Sequence, residues 1–171
     1  MNFKINSNKN ISNDILHDHI INFEESGKIL SDGDRNCIKI FDCNSFQVAI
    51  KSFKKPNFIN KIIYRFFRKS KAKRSFEYAN VLMNKGIGTP MPIAYYECFD
   101  IIGLKESYYV SEHLDCDLTF RELVQIPEFP ENEIILRQFI RFTYSLQQKG
   151  IEFLDHSPGN TLIKKKGQGS Y

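Results

Sequence analysis

The sequence predicts an α+β fold in which a strand-rich first part, with antiparallel strands, precedes a helix-rich second part. Short runs rich in Ile, Phe and Val alternate with turn residues up to about residue 53. Beyond that point, two regions carry apolar residues at helical spacing, and a second pair of strands lies between them. With 171 residues, of which 42% are hydrophobic, the chain can form one domain or two small lobes.

The strand-rich part follows a polar, Asn-rich leader over residues 1–18. Strand-like runs cover 20–23, 28–30, 37–41 and 47–53, and clusters of Gly, Asp, Asn and Ser separate them. Because the connections are short, we expect these runs to form an antiparallel meander.

Two helices are predicted next. The first carries an apolar stripe at spacings of three and four residues, made of Ile59, Ile62, Ile63, Phe66 and Phe67. The second runs from about 73 to 85 and stops at Gly86. A rigid segment with two prolines, residues 86–92, then leads into the strands predicted at 93–99 and 107–114.

The second part of the chain is predicted to be helical. Helices are expected at 118–125 and 131–149, and the apolar residues of the longer helix cover a face broad enough to predict burial on most of its circumference. The domain organisation expected from these patterns is a first lobe at 19–114 and an incomplete second lobe at 115–171.

Charge is distributed very unevenly along the chain. Ten basic residues and no acidic residue lie between Lys51 and Arg74, while the rest of the chain is net negative. Such a block favours an anionic partner. The apolar stripe within it has two readings: packing on the strands, which we favour, or contact with a membrane surface or an anionic lipid acceptor. Nucleic acid is the least favoured partner, because the aromatic residues follow one helix face and do not form a stacking platform.

The remaining composition indicates a cytoplasmic protein. No run of apolar residues is long enough to span a membrane, and the first residues do not resemble a signal sequence. The four cysteines lie far apart without a zinc-binding spacing, so we expect reduced, mostly packed thiols.

A candidate phosphoryl-transfer loop lies near the end of the chain. Asp155 and Asn160 flank a Pro-Gly turn at the spacing with which a kinase places a carboxylate near the attacking hydroxyl and an amide on magnesium. Alone, this pattern equally fits a solvent-facing turn.

Two further residues complete the pattern. Lys51 ends the apolar run Val-Ala-Ile-Lys on a strand, where its ammonium needs an anionic partner or a path to solvent. Glu77 lies on the following helix and is a suitable partner, although either residue alone fits an ordinary surface position. The order of strand lysine, helix glutamate, strand 107–114 and Asp-x-x-Pro-x-Asn is that of a protein-kinase-like fold.

Four segments of the chain resemble the lipopolysaccharide kinase (Kdo/WaaP) family, and particularly its InaA-like members. They are 48–54, 68–79, 86–92 and 153–163, and the resemblance extends over nearly all of the chain from Gly27 onward. It implies a protein-kinase-like fold with a strand-rich N-lobe and a helical C-lobe, ATP and Mg²⁺ as cofactors, and the core sugar of lipopolysaccharide, or another anionic sugar, as acceptor.

The resemblance also assigns roles to individual residues. Lys51 would hold the α and β phosphates, and Glu77 would orient that lysine. Asp155 would be the catalytic carboxylate, and Asn160 would bind magnesium. Gly33 would let the first hairpin turn approach the phosphates, and the backbone of Glu112 to Leu114 would pair with adenine.

The chain departs from the family in three respects. Gly33 stands alone where protein kinases have three glycines, and Phe153 and Leu154 replace the His-Arg pair before Asp155. The sequence also stops at Tyr171, where the family continues to a strand with a metal-binding aspartate. We therefore expect an incomplete kinase that transfers phosphate poorly as written. Peripheral contact with the inner face of the inner membrane is a further expectation. The alternative is a pseudokinase or remnant that binds nucleotide or an anionic partner without catalysis.

Overall fold

The computed structural model describes residues 1–6, 11–44, 46–152 and 158–167. It divides into two compact units, Met1–His113 and Leu114–Tyr171. The first contains a six-stranded antiparallel sheet with helices, and the second is mainly helical. The predicted α+β class, with antiparallel strands before helices, is confirmed.

The sheet of the first unit has the strand order β1-β5-β6-β4-β3-β2, and every neighbouring pair is antiparallel. Its strands are β1 (Asn2–Ile5), β2 (Lys28–Gly33), β3 (Asn36–Cys43), β4 (Phe46–Phe53), β5 (Pro92–Phe99) and β6 (Leu104–Glu112). The three strands predicted at 28–30, 37–41 and 47–53 are confirmed as a β2-β3-β4 meander, and they extend beyond the predicted limits.

The strand predicted at 20–23 is wrong. This segment belongs to helix α1 (Asn13–Ile21) and the turn after it, and the Ser12 side chain caps the helix by accepting a hydrogen bond from the Asp14 N–H. The physical reason is the spacing of Leu16, Ile20 and Phe23, which are all buried together against one face of the sheet. The apolar run at 20–23 is too short to show this helical spacing, which begins at Leu16.

The leader also contributes to the sheet. Asn2 to Ile5 pair with Glu97 to Ala94, which makes β1 the edge strand next to β5. The stretch 1–18 therefore contains β1 and the first part of α1, while the lobe boundaries proposed from the sequence stay a prediction.

Two helices lie between β4 and β5. Helix α3 (Lys71–Asn84) packs Ala72 and Phe76 against Phe53 and Tyr95, and the Phe76 and Tyr95 ring centroids are 5.4 Å apart. Helix α2 (Phe58–Phe66), in contrast, has no buried residue. The favoured packing of its apolar stripe on the strands is therefore wrong for Ile59, Phe66 and Phe67, which are exposed, whereas Ile62 and Ile63 are half-buried.

The second unit contains a small hydrophobic core of its own. Its elements are β7 (Leu118–Thr119), α4 (Phe120–Gln125), α5 (Asn132–Gln148) and β8 (Leu162–Ile163), and a 3-10 turn spans Pro158–Asn160. Leu118, Leu123, Ile135 and Ile163 form the core. Of the residues of α5, Ile135 and Leu146 are buried, so the expectation that this helix is buried on most of its circumference is wrong. Within the described ranges, no helix is long and apolar enough to cross a membrane.

Candidate phosphate-binding face of the first unit

Lys51 lies on β4, near the middle of the sheet, between Ile38 of β3 and Tyr109 of β6. Side chains alternate between the two faces of a strand. Because Val48 and Ile50 lie in the core with α1, Ala49, Lys51 and Phe53 occupy the opposite face. Lys51 is therefore on the face that α3 partly covers.

Helix α3 covers only part of this face. It packs over Phe53 and Tyr95, with Tyr109 beside them, and burial raises the pKa of the Tyr109 phenol. Ile38 and Ala49, which share the face with Lys51, are only half-buried. The lysine thus stands at the border between a packed aromatic cluster and the half-buried apolar residues Ile38 and Ala49.

The ammonium of Lys51 is placed along the strand axis toward Phe53. Its Nζ lies 5.5 Å from the centroid of the Phe53 ring. A cation at this distance is attracted by the negative face of the ring, and the contact restricts the long side chain to the sheet surface. The position is suitable for an anionic group that binds over the apolar surface.

Glu77 is on α3 but has another basic partner. Both of its carboxylate oxygens accept hydrogen bonds from Lys69 Nζ, at 3.0 and 2.9 Å. To orient Lys51 as predicted, the Glu77 carboxylate must either bind both ammonium groups or release Lys69. That role stays a prediction.

Gly33 lies at the tip of the β2-β3 hairpin, where it pairs with Asn36. A Cβ atom added to Gly33 would meet only the Asn36 carbonyl oxygen, at 3.8 Å. The fold itself therefore tolerates a larger residue there. Gly33 also lines a cavity of about 230 Å³ together with Arg35, Lys54 and Tyr108, and Lys51 is not among the residues that line it.

Two backbone N–H groups at the end of β6 already form hydrogen bonds within the first unit. The Glu112 N–H donates to the Met91 carbonyl, and the His113 N–H donates to the Gln47 carbonyl, both at 2.9 Å. Leu114 is the first residue of the second unit. Pairing of this backbone with adenine stays a prediction.

The catalytic-loop assignment lies mostly outside the described residues. Asp155 is not among them, and nothing in the structure bears on its role. Asn160 ends the exposed 3-10 turn of the second unit. Among the residues that the structure describes, no group of three His, Cys, Asp or Glu side chains is arranged to hold a metal ion.

Sequence reasoning missed the apolar surface beside Lys51. Ile38 and Ala49 are brought onto one face by the pairing of β3 with β4, in which Ile38 lies opposite Lys51 and Ile40 opposite Ala49. Alternation within each strand was visible in the sequence. The register between the strands was not, because it depends on how the hairpin closes.

Comparisons with known proteins gave partial structural likenesses. Neither protein-family models nor curated protein sequences match the chain. Among solved structures, "WaaP in complex with acyl carrier protein" is similar over 76% of this chain and 48% of that chain, at 13% identity and a TM-score of 0.44. The aminoglycoside phosphotransferase APH(4)-Ia is similar over 70% of this chain and 33% of that chain, at 16% identity and a TM-score of 0.31. The chain spans about half the length of the first protein and a third of the second.

Proposed function

We propose that this chain is the nucleotide-binding part of an ATP-dependent phosphotransferase with a protein-kinase-like fold. One observation carries the proposal. Lys51, the lysine of a Val-Ala-Ile-Lys strand, lies at the edge of a half-buried apolar surface on the face that α3 partly covers. An apolar surface suits a nucleotide base, and a neighbouring ammonium suits its phosphates.

The acceptor follows from the motif resemblance. Residues 48–54, 68–79, 86–92 and 153–163 resemble kinases of the lipopolysaccharide core, so we propose a sugar hydroxyl of that core, or of another anionic sugar, as the group phosphorylated. Contact with the inner face of the inner membrane is part of this proposal, because the sugar core of lipopolysaccharide is linked to a lipid that lies in the membrane.

Each remaining site residue has a role in the proposal. Asp155 would accept or orient the acceptor's hydroxyl proton, and Glu77 would hold Lys51 toward the phosphates. The backbone of Glu112 to Leu114 would pair with the base. Asn160 would be one ligand of Mg²⁺, whose chemistry is to neutralise charge on the phosphates.

The test of the proposal is ATP binding to the full chain. We expect Lys51→Met to weaken the ATP affinity measured by calorimetry by about tenfold or more, because an ammonium-phosphate contact is a charge-assisted hydrogen bond. Lys105→Met is the matched control, since Lys105 is an exposed lysine on the neighbouring strand β6. Equal affinities of the two variants would exclude Lys51 as a phosphate ligand.

A second candidate function is nucleotide binding without catalysis. It is favoured by the engagement of Glu77 with Lys69. Transfer of labelled phosphate from ATP to lipopolysaccharide core distinguishes the two candidates. Under the first, the unmodified chain transfers phosphate slowly but measurably, and Asp155→Asn abolishes this transfer while leaving ATP binding intact. Under the second, the unmodified chain binds ATP and transfers nothing.

A further inference from the structure

Helix α2 presents its apolar side outward. Five of its nine residues are large and apolar, namely Phe58, Ile59, Ile62, Ile63 and Phe66. At 3.6 residues per turn they fall within an arc of about 140°. Phe58 is 62% exposed, and Ile59 and Phe66 are each 67% exposed. Phe67, directly after the helix, is 83% exposed.

The polar side of α2 attaches the helix to the first unit. Lys61 Nζ forms an ion pair with Asp100 at 2.7 Å. The Arg65 guanidinium donates to the carbonyl oxygens of Asp100 and Ile101, at 3.2 and 2.6 Å. The helix backbone also approaches this turn so closely that a Cβ at Gly103 would overlap the Lys61 carbonyl. The orientation of the helix is thus fixed by specific contacts on its polar side.

The outward surface continues beyond the helix. Ile101, in the turn to which Arg65 is bound, is 97% exposed. We define the α2 face by five exposed apolar residues: Phe58, Ile59 and Phe66 of the helix, Phe67 after it, and Ile101 in the turn that Arg65 binds. Single exposed apolar residues are ordinary, but a contiguous group of large ones marks an interaction surface.

Exposed basic residues flank α2 along the chain. Lys54 precedes the helix, and Arg68 and Lys71 follow it, and all three are exposed. Within residues 1–6, 11–44, 46–152 and 158–167, none of the three forms an ion pair. Lys55, Lys61 and Lys69 have acidic partners, so the basic segment retains a net positive charge after these pairs are counted.

We propose that the α2 face docks on an anionic lipid bilayer. A helix with large apolar side chains on one side and basic residues around it inserts its apolar side at the boundary of headgroups and acyl chains, and the bases attract anionic headgroups. A protein partner is less suited, because it would have to pair the exposed basic residues Lys54, Arg68 and Lys71, for which the headgroups of an anionic bilayer supply the counter-charge. The inference rests on the membrane contact of the proposed function and assigns it to one surface; vesicle binding is measured without ATP, so its failure is distinct from a failure of ATP binding or phosphate transfer.

Vesicle sedimentation tests the proposal on the full chain. The chain is mixed with vesicles of pure phosphatidylcholine or of equal parts phosphatidylcholine and phosphatidylglycerol. We expect binding to the anionic vesicles alone, weakened by raised salt. Equal binding to both vesicle types, or binding to neither, overturns the proposal.

Variants locate the binding surface. Phe58→Ser with Phe66→Ser is expected to lower the partition into anionic vesicles by about tenfold or more for each phenylalanine, because each loses a large buried apolar area in the bound state. Ile140→Ser is the matched control, since Ile140 is 65% exposed on α5, far along the chain from the basic segment. Each variant should have the circular dichroism spectrum of the unmodified chain, because all the substituted side chains are exposed and their loss costs little stability.

A second set of variants tests the contribution of the basic residues that flank α2. Replacing Lys54, Arg68 and Lys71 by Gln is expected to weaken binding to anionic vesicles strongly. The control replaces Lys28, Lys164 and Lys166, which are equally exposed and outside the basic segment. Similar losses from both triple variants would mean that net charge alone drives binding and would overturn the assignment to the α2 face. A dimer in solution that Phe58→Ser with Phe66→Ser dissolves would also overturn it and assign the face to a second copy.

Discussion

A buried lysine on β3 gives the sharpest stability prediction. Lys39 is 8% exposed, and its Nζ donates to the carbonyl oxygens of Phe23, Glu24 and Ser26, at 2.7, 3.0 and 3.2 Å. The ammonium also lies 5.0 Å from the Phe23 ring centroid. These contacts attach the turn after α1 to the sheet.

Replacing Lys39 by Met keeps the aliphatic stem and removes all three donors. The bonds to the Glu24 and Ser26 carbonyl oxygens are only partly buried, so water can replace the ammonium there. The Phe23 carbonyl bond is buried, and leaving such an acceptor unsatisfied costs about 1–3 kcal/mol. Adding the loss of the other charge-assisted bonds and the cation–π contact, we expect a loss of about 2–4 kcal/mol from the free energy of unfolding.

Urea denaturation followed by circular dichroism measures this loss. Lys105→Met serves as the control, because Lys105 is an exposed strand lysine and its loss should change the free energy of unfolding by no more than about 0.5 kcal/mol. Hydrogen exchange should show lost protection over the α1 helix. A Lys39→Met variant as stable as Lys105→Met would refute the reasoning, since the three carbonyl bonds would then contribute no net stability.

Two further predictions concern the attachment of α2. Gly103→Ala should destabilise the first unit by about 1–3 kcal/mol, because the added methyl overlaps the Lys61 carbonyl and the helix must move; Gly88→Ala, which meets nothing within 4 Å, should change little in the same thermal denaturation. The second prediction is a pH dependence. The Lys61 ammonium, assisted by the Gly103 N–H, lowers the pKa of Asp100 from 3.8 to about 2. The ion pair between Asp100 and Lys61 therefore stabilises the fold fully above about pH 4, and this stabilisation is lost as the pH falls toward 2. Asp100→Asn keeps an acceptor for the N–H groups of the turn, but its stability should not fall between pH 4 and 2 for this reason. If the stability of the variant and of the unmodified chain fell in parallel over this range, the prediction would be contradicted.

The sequence predicted the elements well where one physical signal dominated. Alternating apolar residues and turn clusters placed β2, β3 and β4, and helical spacing placed α2 and α3. The segment at 20–23 failed because four apolar residues do not distinguish a strand from a helix end. The β1 strand was missed because Asn2–Ile5 gains stability from pairing with β5, which is about ninety residues away along the chain.

The candidate site was predictable in part. The strand position of Lys51 followed from the apolar run that it ends. The pairing of Glu77 with Lys69 did not follow, because both lie in a segment with ten basic residues and side-chain reach selects among them.

The sequence by itself determined the α+β class, the strong positive charge of residues 51–74 and the amphipathic period of α2. These depend on local composition and spacing, which are properties of a continuous segment. Only the tertiary structure decided which way the two faces of α2 point and what lies beside Lys51. Both depend on contacts between distant segments: the attachment of Lys61 and Arg65 to the turn at Asp100, and the register that places Ile38 opposite Lys51.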